Sequence, residues 1–169
     1  MTTDTTGPTP DVRVPANRVA PRARWYWLTR AAVGWLALVA VQVIAMLLGW
    51  PFPPAKAVLL TVTVGLAALH LAVMPAWRYR VHRWELTDTA LDTRTGWWTQ
   101  EWRIAPLGRV QTVDSAQGPL ARLFRLTTVT VTTASAAGPL TVEGLDAATA
   151  TALAERITAA AQATRGDAT

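Results

Sequence analysis

The chain has 169 residues, of which 51% are hydrophobic and only 16% charged, with a net charge of +5 and a mean hydropathy of +0.21. An ordinary globular chain carries roughly 25% charged residues, so two kinds of sequence are averaged here. With no cysteine and two histidines, disulfides, thiol nucleophiles and cysteine-based zinc sites are excluded.

Residues 1–24 are rich in Thr, Pro and Arg and have no hydrophobic period, which predicts a disordered tail. Arg13, Arg18, Arg22, Arg24 and Arg30 face only Asp4 and Asp11, whereas from Arg78 onward ten arginines meet nine carboxylates. The basic excess therefore belongs to the N-terminal flank and not to a folded nucleic-acid surface.

Residues 25–77 read as a transmembrane helix hairpin. Residues 31–50 contain no charge, and twenty residues in a helix span about 30 Å, the thickness of the hydrocarbon core. Pro51, Pro53 and Pro54 break the helix. Residues 57–77 form a second uncharged run, with Thr61, Thr63 and His70 as its polar members. The short connection makes the two helices antiparallel. Trp25, Tyr26, Trp27, Trp50, Trp77 and Tyr79 flank the spans, where aromatic side chains favour the membrane–water interface. Arginines lie outside both spans and the turn carries only Lys56, so the positive-inside rule places both termini in the cytoplasm. The Ala55–Lys56–Ala57 triplet resembles a signal-peptide cleavage site. However, the basic and apolar regions before it are too long, and cutting there would still leave a transmembrane helix.

From Arg78 the hydrophobic period changes to two. Alternation of β-branched and aromatic residues predicts strands at 79–87, 90–95, 97–104, 110–115, 126–133 and 140–143. In the third of these, Trp98, Gln100, Trp102 and Ile104 share one face, and Trp97 lies on the other. Residues 118–126 carry Leu120, Leu123 and Phe124 at helical spacing, with Arg122 and Arg125 off that face. After Asp146, a good N-cap, an alanine-rich helix carries Leu153 and Ile157 four apart. Six or seven strands closed by this helix make a small barrel or sandwich over residues 78–162, and residues 163–169 form a fraying tail.

These features together resemble a known family. The helix hairpin, Trp84–Glu85–Leu86, Arg109–Val110–Gln111–Thr112–Val113, the GPLARLF run at 118–124 and the VEGLD run at 142–146 are similar to the bacterial pleckstrin-homology-like (PH-like) membrane proteins of the YdbS type. The usual pattern there is I-P-x-x-R-I-Q-x-V followed by P-L-x-R-L-x-G-L. Here Ala105 separates Ile104 from Pro106, and Arg125 stands where glycine is common. The resemblance implies a seven-stranded PH-like barrel with a C-terminal helix on the cytoplasmic side of the cell membrane. It implies no catalytic activity and no cofactor.

The residues themselves show no phosphate loop, nucleophile elbow or paired catalytic histidine, and no small-molecule substrate is evident. Glu85, Asp88, Asp92, Glu101 and Asp114 are scattered and read as solvated strand faces. His70 is an intramembrane ionisable group, hence a candidate proton relay. Its plainer reading is a neutral side chain hydrogen-bonded across the hairpin, with Gln42 in reach.

Three functional expectations follow. The first is a non-enzymatic scaffold at the inner leaflet that binds a protein partner or another copy of itself, with Trp97 as the anchor. The second is an anionic-headgroup binder using Arg109, Arg122 and Arg125 with juxtamembrane Arg78, Arg80 and Arg83. The turn at 87–89 carries no base, which argues against phosphoinositide binding of the eukaryotic kind. A third, resting on the hairpin and His70, is an accessory subunit of a membrane transporter.

Overall fold

A computed structural model describes residues 14–49, 53–135 and 138–166. Expectations for residues 1–13, for Trp50 and the start of the connecting turn, and for the last three residues lie outside these.

Two long helices come first. Helix α1 is Ala23–Leu47 and α2 is Pro53–Val81. Both are long and apolar enough to cross a membrane, and they pack against each other as an antiparallel pair. Each extends beyond its uncharged run at the end nearest the rest of the protein. The reason is burial: Ala23 and Trp27 of α1 and Met74 and Val81 of α2 join the core of the folded domain. The strand expected over 79–87 is correspondingly shorter, because α2 continues to Val81 and the strand occupies only Arg83–Leu86.

The rest is a two-sheet sandwich. Strands β1 (Asn17–Arg18), β2 (Arg83–Leu86), β3 (Ala90–Thr95) and β4 (Glu101–Pro106) form one antiparallel sheet in that order. Strands β5 (Val110–Ala116), β6 (Leu126–Thr133) and β7 (Leu140–Asp146) form the second. A short helix α3 (Pro119–Leu123) links β5 to β6, and α4 (Ala147–Gly166) covers the second sheet. Asp146 caps α4: its Oδ1 accepts from the Thr149 backbone N–H at 3.0 Å and its Oδ2 from the Thr149 hydroxyl at 2.8 Å. Those bonds hold the Asp146 pKa below its ordinary value. Leu153 and Ile157 are fully buried between α4 and the sheet, contributing roughly 2 kcal/mol each by area.

The disordered tail expected over residues 1–24 is corrected for residues 14–24. Asn17 and Arg18 pair with Trp84 and Arg83 of β2, the Ala16 N–H donates to Glu85, and Val19 is buried. The Ala20 N–H donates to the Gly144 carbonyl at 2.9 Å. Gly144 has φ +80°, and a Cβ there would stand 2.8 Å from that of Ala23. Only glycine lets β7 bulge this close to the start of α1.

Candidate functional surface at the membrane end of the domain

The hairpin and the sandwich meet at a buried junction. Trp27 is 1% exposed, with the Arg78 guanidinium 4.7 Å from its ring centroid and the His82 ring at 4.8 Å. Arg78 reaches across to Glu143 of β7 in a 2.9 Å ion pair. His82 Nδ1 donates to the Arg78 carbonyl at 3.0 Å. Burial, reinforced by the neighbouring Arg78 charge, drives the His82 pKa down to about 4, so the ring is neutral at physiological pH. Arg78, His82, Arg103, Glu101 and Glu143 line a polar cavity of about 240 Å³ between the sheets. Its formal charges balance, so it offers no excess of positive charge to an anion.

Farther along the hairpin the helices are joined by polar pairs. The Gln42 amide donates to Thr63 Oγ1 at 2.9 Å, and Trp35 Nε1 donates to His70 Nδ1 at 2.8 Å. His70 is therefore hydrogen-bonded across the hairpin, by Trp35 and not by Gln42.

The segment expected as one strand over 97–104 is instead a turn followed by a strand. Gly96 adopts φ +102°, and a Cβ on it would sit 1.8 Å from the Thr99 carbonyl oxygen. The chain thus turns at 96–100, and β4 begins at Glu101. Trp97, expected on the opposite face of a strand, lies at this tip with its ring 5.4 Å from that of His70. Trp98 follows, 5.9 Å from Trp97 and 86% exposed.

Among the described residues β4 pairs with β3 alone, and its Arg103 side chain donates to the Gly138 and Pro139 carbonyls. Trp102 and Ile104 project from its outer face; Arg94 stacks on Trp102 at 4.7 Å, and Ile104 is 68% exposed. Beside them a groove of about 470 Å³ runs to Arg109, Thr133 and Gly138.

The six arginines do not form one cluster. Arg78 is committed to Glu143, and half-buried Arg83 donates to the Pro15 carbonyl at 3.4 Å. Arg80 is exposed at the end of α2, and Arg109 is exposed at the far groove. Arg122 and Arg125 are exposed on and just after α3. Phe124 packs edge-on against Tyr26 of α1 at 6.3 Å, which sets α3 beside the emerging end of that helix. Arg125 has φ +53°, the left-handed conformation that ends α3 and that explains the glycine usual at this place.

Sequence reasoning missed Trp27, Glu143 and Gly144 as the residues that dock the hairpin. The available signal was the glycine interrupting the alternation of β7, a sign of close backbone approach.

A hairpin of bilayer-crossing length rooted in a two-sheet, helix-capped sandwich defines a membrane-anchored PH-like protein. The model of the bacterial PH domain matches residues 26–161, so the chain belongs to that family. It is 30% identical over 125 residues to the UPF0699 transmembrane protein YdbS of Bacillus subtilis (strain 168), covering 72% of this chain and 78% of the relative. No solved structure matches it.

Proposed function

We propose that the protein is a non-enzymatic scaffold, holding its PH-like domain at the cytoplasmic face of the membrane to bind an extended segment of a partner protein along β4. The observation that carries this is a β4 edge with no ladder partner among the described residues, with exposed Trp102 and Ile104 beside a groove. An unpaired edge supplies a row of backbone donors and acceptors, and flanking apolar side chains supply selectivity. This moves the protein-binding anchor from Trp97 to Trp102 and Ile104.

A photo-crosslinking side chain at position 104 of the full-length protein in cells should trap one discrete protein species. The same group at Thr158 on α4 should not, and Trp102→Ala should diminish the adduct. Equal adducts at both positions, or none at 104, would contradict edge binding. For sidedness, single cysteines at Ala55 and Thr133 should label from opposite sides of the membrane; labelling from one side would remove the two-pass topology.

Anionic-headgroup binding is supported at one place only. Docking of Phe124 on Tyr26 puts Arg122 and Arg125, with Leu123 74% exposed between them, next to the emerging hairpin, where each base contributes about 1 kcal/mol toward an anionic leaflet. Anionic lipid should then raise the detergent melting temperature of the native protein, less so at high salt. An equal rise in the Arg122→Ala/Arg125→Ala double variant would exclude these two residues.

A further inference from the structure

The β3–β4 tip lies beside the membrane-crossing helices at a depth that makes its own contact with lipid hard to avoid. Counting along α2, His70 is seven residues below Trp77, or about 10 Å deeper toward the distal end. Trp97 packs on His70, so the Trp97 ring reaches down to that level. The neighbouring side chains on α2, Leu69 and Val73, are exposed and belong to the apolar band that faces the acyl chains.

We propose that the Trp97–Trp98 tip inserts into the interfacial region of the leaflet from which the domain emerges, giving the domain a third, non-helical hold on the bilayer. The occupant of this exposed surface is lipid because the surface is continuous with the lipid-facing band of α2. Trp98 meets the Trp97 ring and is otherwise 86% exposed, and a tryptophan with an apolar body and a polar N–H suits the headgroup–acyl boundary. Residues 96–100 (Gly, Trp, Trp, Thr, Gln) carry no formal charge. The first charges on either arm are Arg94, which donates to Gln100 and stacks on Trp102, and Glu101, which is exposed. These charges confine the insertion to the boundary zone. The turn that presents both rings requires glycine at position 96. The inference needs the bilayer-crossing hairpin but not any particular partner at β4.

The absence of cysteine makes the test direct. Thr99→Cys in the full-length chain is labelled with an environment-sensitive fluorophore and reconstituted into vesicles of phosphatidylethanolamine and phosphatidylglycerol. Thr61→Cys on the lipid-facing side of α2 and Thr158→Cys on α4 serve as references, and Gln100→Cys, which keeps both tryptophans, is the second tip position should Thr99→Cys fail to incorporate. The tip label should be blue-shifted, quenched by nitroxide-bearing lipids comparably to the Thr61 site, and shielded from aqueous iodide. Quenching by iodide as at Thr158, without quenching by lipid nitroxide, would overturn the proposal. Shielding from both quenchers would also overturn it, assigning the tip to a protein neighbour.

Discussion

The two halves of the helix hairpin have opposite surroundings. In the distal half, over 33–48 and 58–73, side chains such as Leu36, Val41, Ile44, Val62, Leu66 and Leu69 are exposed, as a lipid-facing surface requires. In the proximal half, Ala23, Trp27, Met74 and Val81 are buried and continuous with the sandwich core. The same helices therefore serve two media, lipid at one end and protein at the other. The domain is consequently built around the hairpin base and not merely tethered to it.

The sharpest way to break that contrast is to truncate one large side chain in each half. Trp27→Ala empties a filled core site and should cost about 3–5 kcal/mol, read as a lowered melting temperature in detergent. Leu36→Ala, facing outward, should leave the melt nearly unchanged. Acid should reproduce much of the first effect through His82. Its folded-state pKa of about 4 lies below the ordinary 6.5, so the unfolded chain takes up a proton that the folded chain refuses. The His82 contribution is complete above about pH 6.5 and falls away as pH drops, by about 3 kcal/mol at pH 4. His82→Gln, which does not take the proton, should lose that part of the acid sensitivity when the two melting profiles are compared.

Glycines sharpen the comparison further. Gly144→Ala pushes a methyl against Ala23 in a left-handed backbone and should cost roughly 2 kcal/mol. Gly65→Ala in the distal half meets nothing within 4 Å and should be neutral or slightly stabilising. A gain is expected at one position: Arg125→Gly relieves a positive φ and should raise stability by about 1 kcal/mol. Measured in anionic lipid, it also removes one base of the candidate headgroup site.

The distal half was legible in the sequence because composition alone specifies a lipid-facing helix. Strands β3 and β6 and helix α4 were legible because alternation, the Asp146 cap and the Leu153/Ile157 stripe are local signals. The junction was not. Strand β1 is two residues long and exists only through pairing with β2, across more than sixty residues of chain. Nothing local marks Val19 as a core residue when Thr, Pro and Arg surround it. The extension of α1 back to Ala23 is likewise stabilised by tertiary burial and not by a cap, since Arg22 makes no capping bond from its side chain. The tip at 96–100 was hidden by its own alternation: Trp98, Gln100 and Trp102 match a strand, and the positive φ of Gly96 overrides the pattern. For the candidate sites, residue type pointed to exposed tryptophan and arginine, but only the fold separates Arg78 and Arg83, which hold the structure together, from Arg122 and Arg125, which face outward.

The claim that the hairpin base is part of the domain is tested most directly by expressing residues 78–169 alone and following their thermal unfolding by near-ultraviolet circular dichroism beside the full-length chain. That fragment keeps β2–β7 and α4 but lacks β1, Val19, Ala23, Trp27 and Met74. The account predicts no cooperative transition and no fixed aromatic signal from the fragment. A cooperative melt near the temperature of the full-length protein would show a self-sufficient sandwich and contradict it.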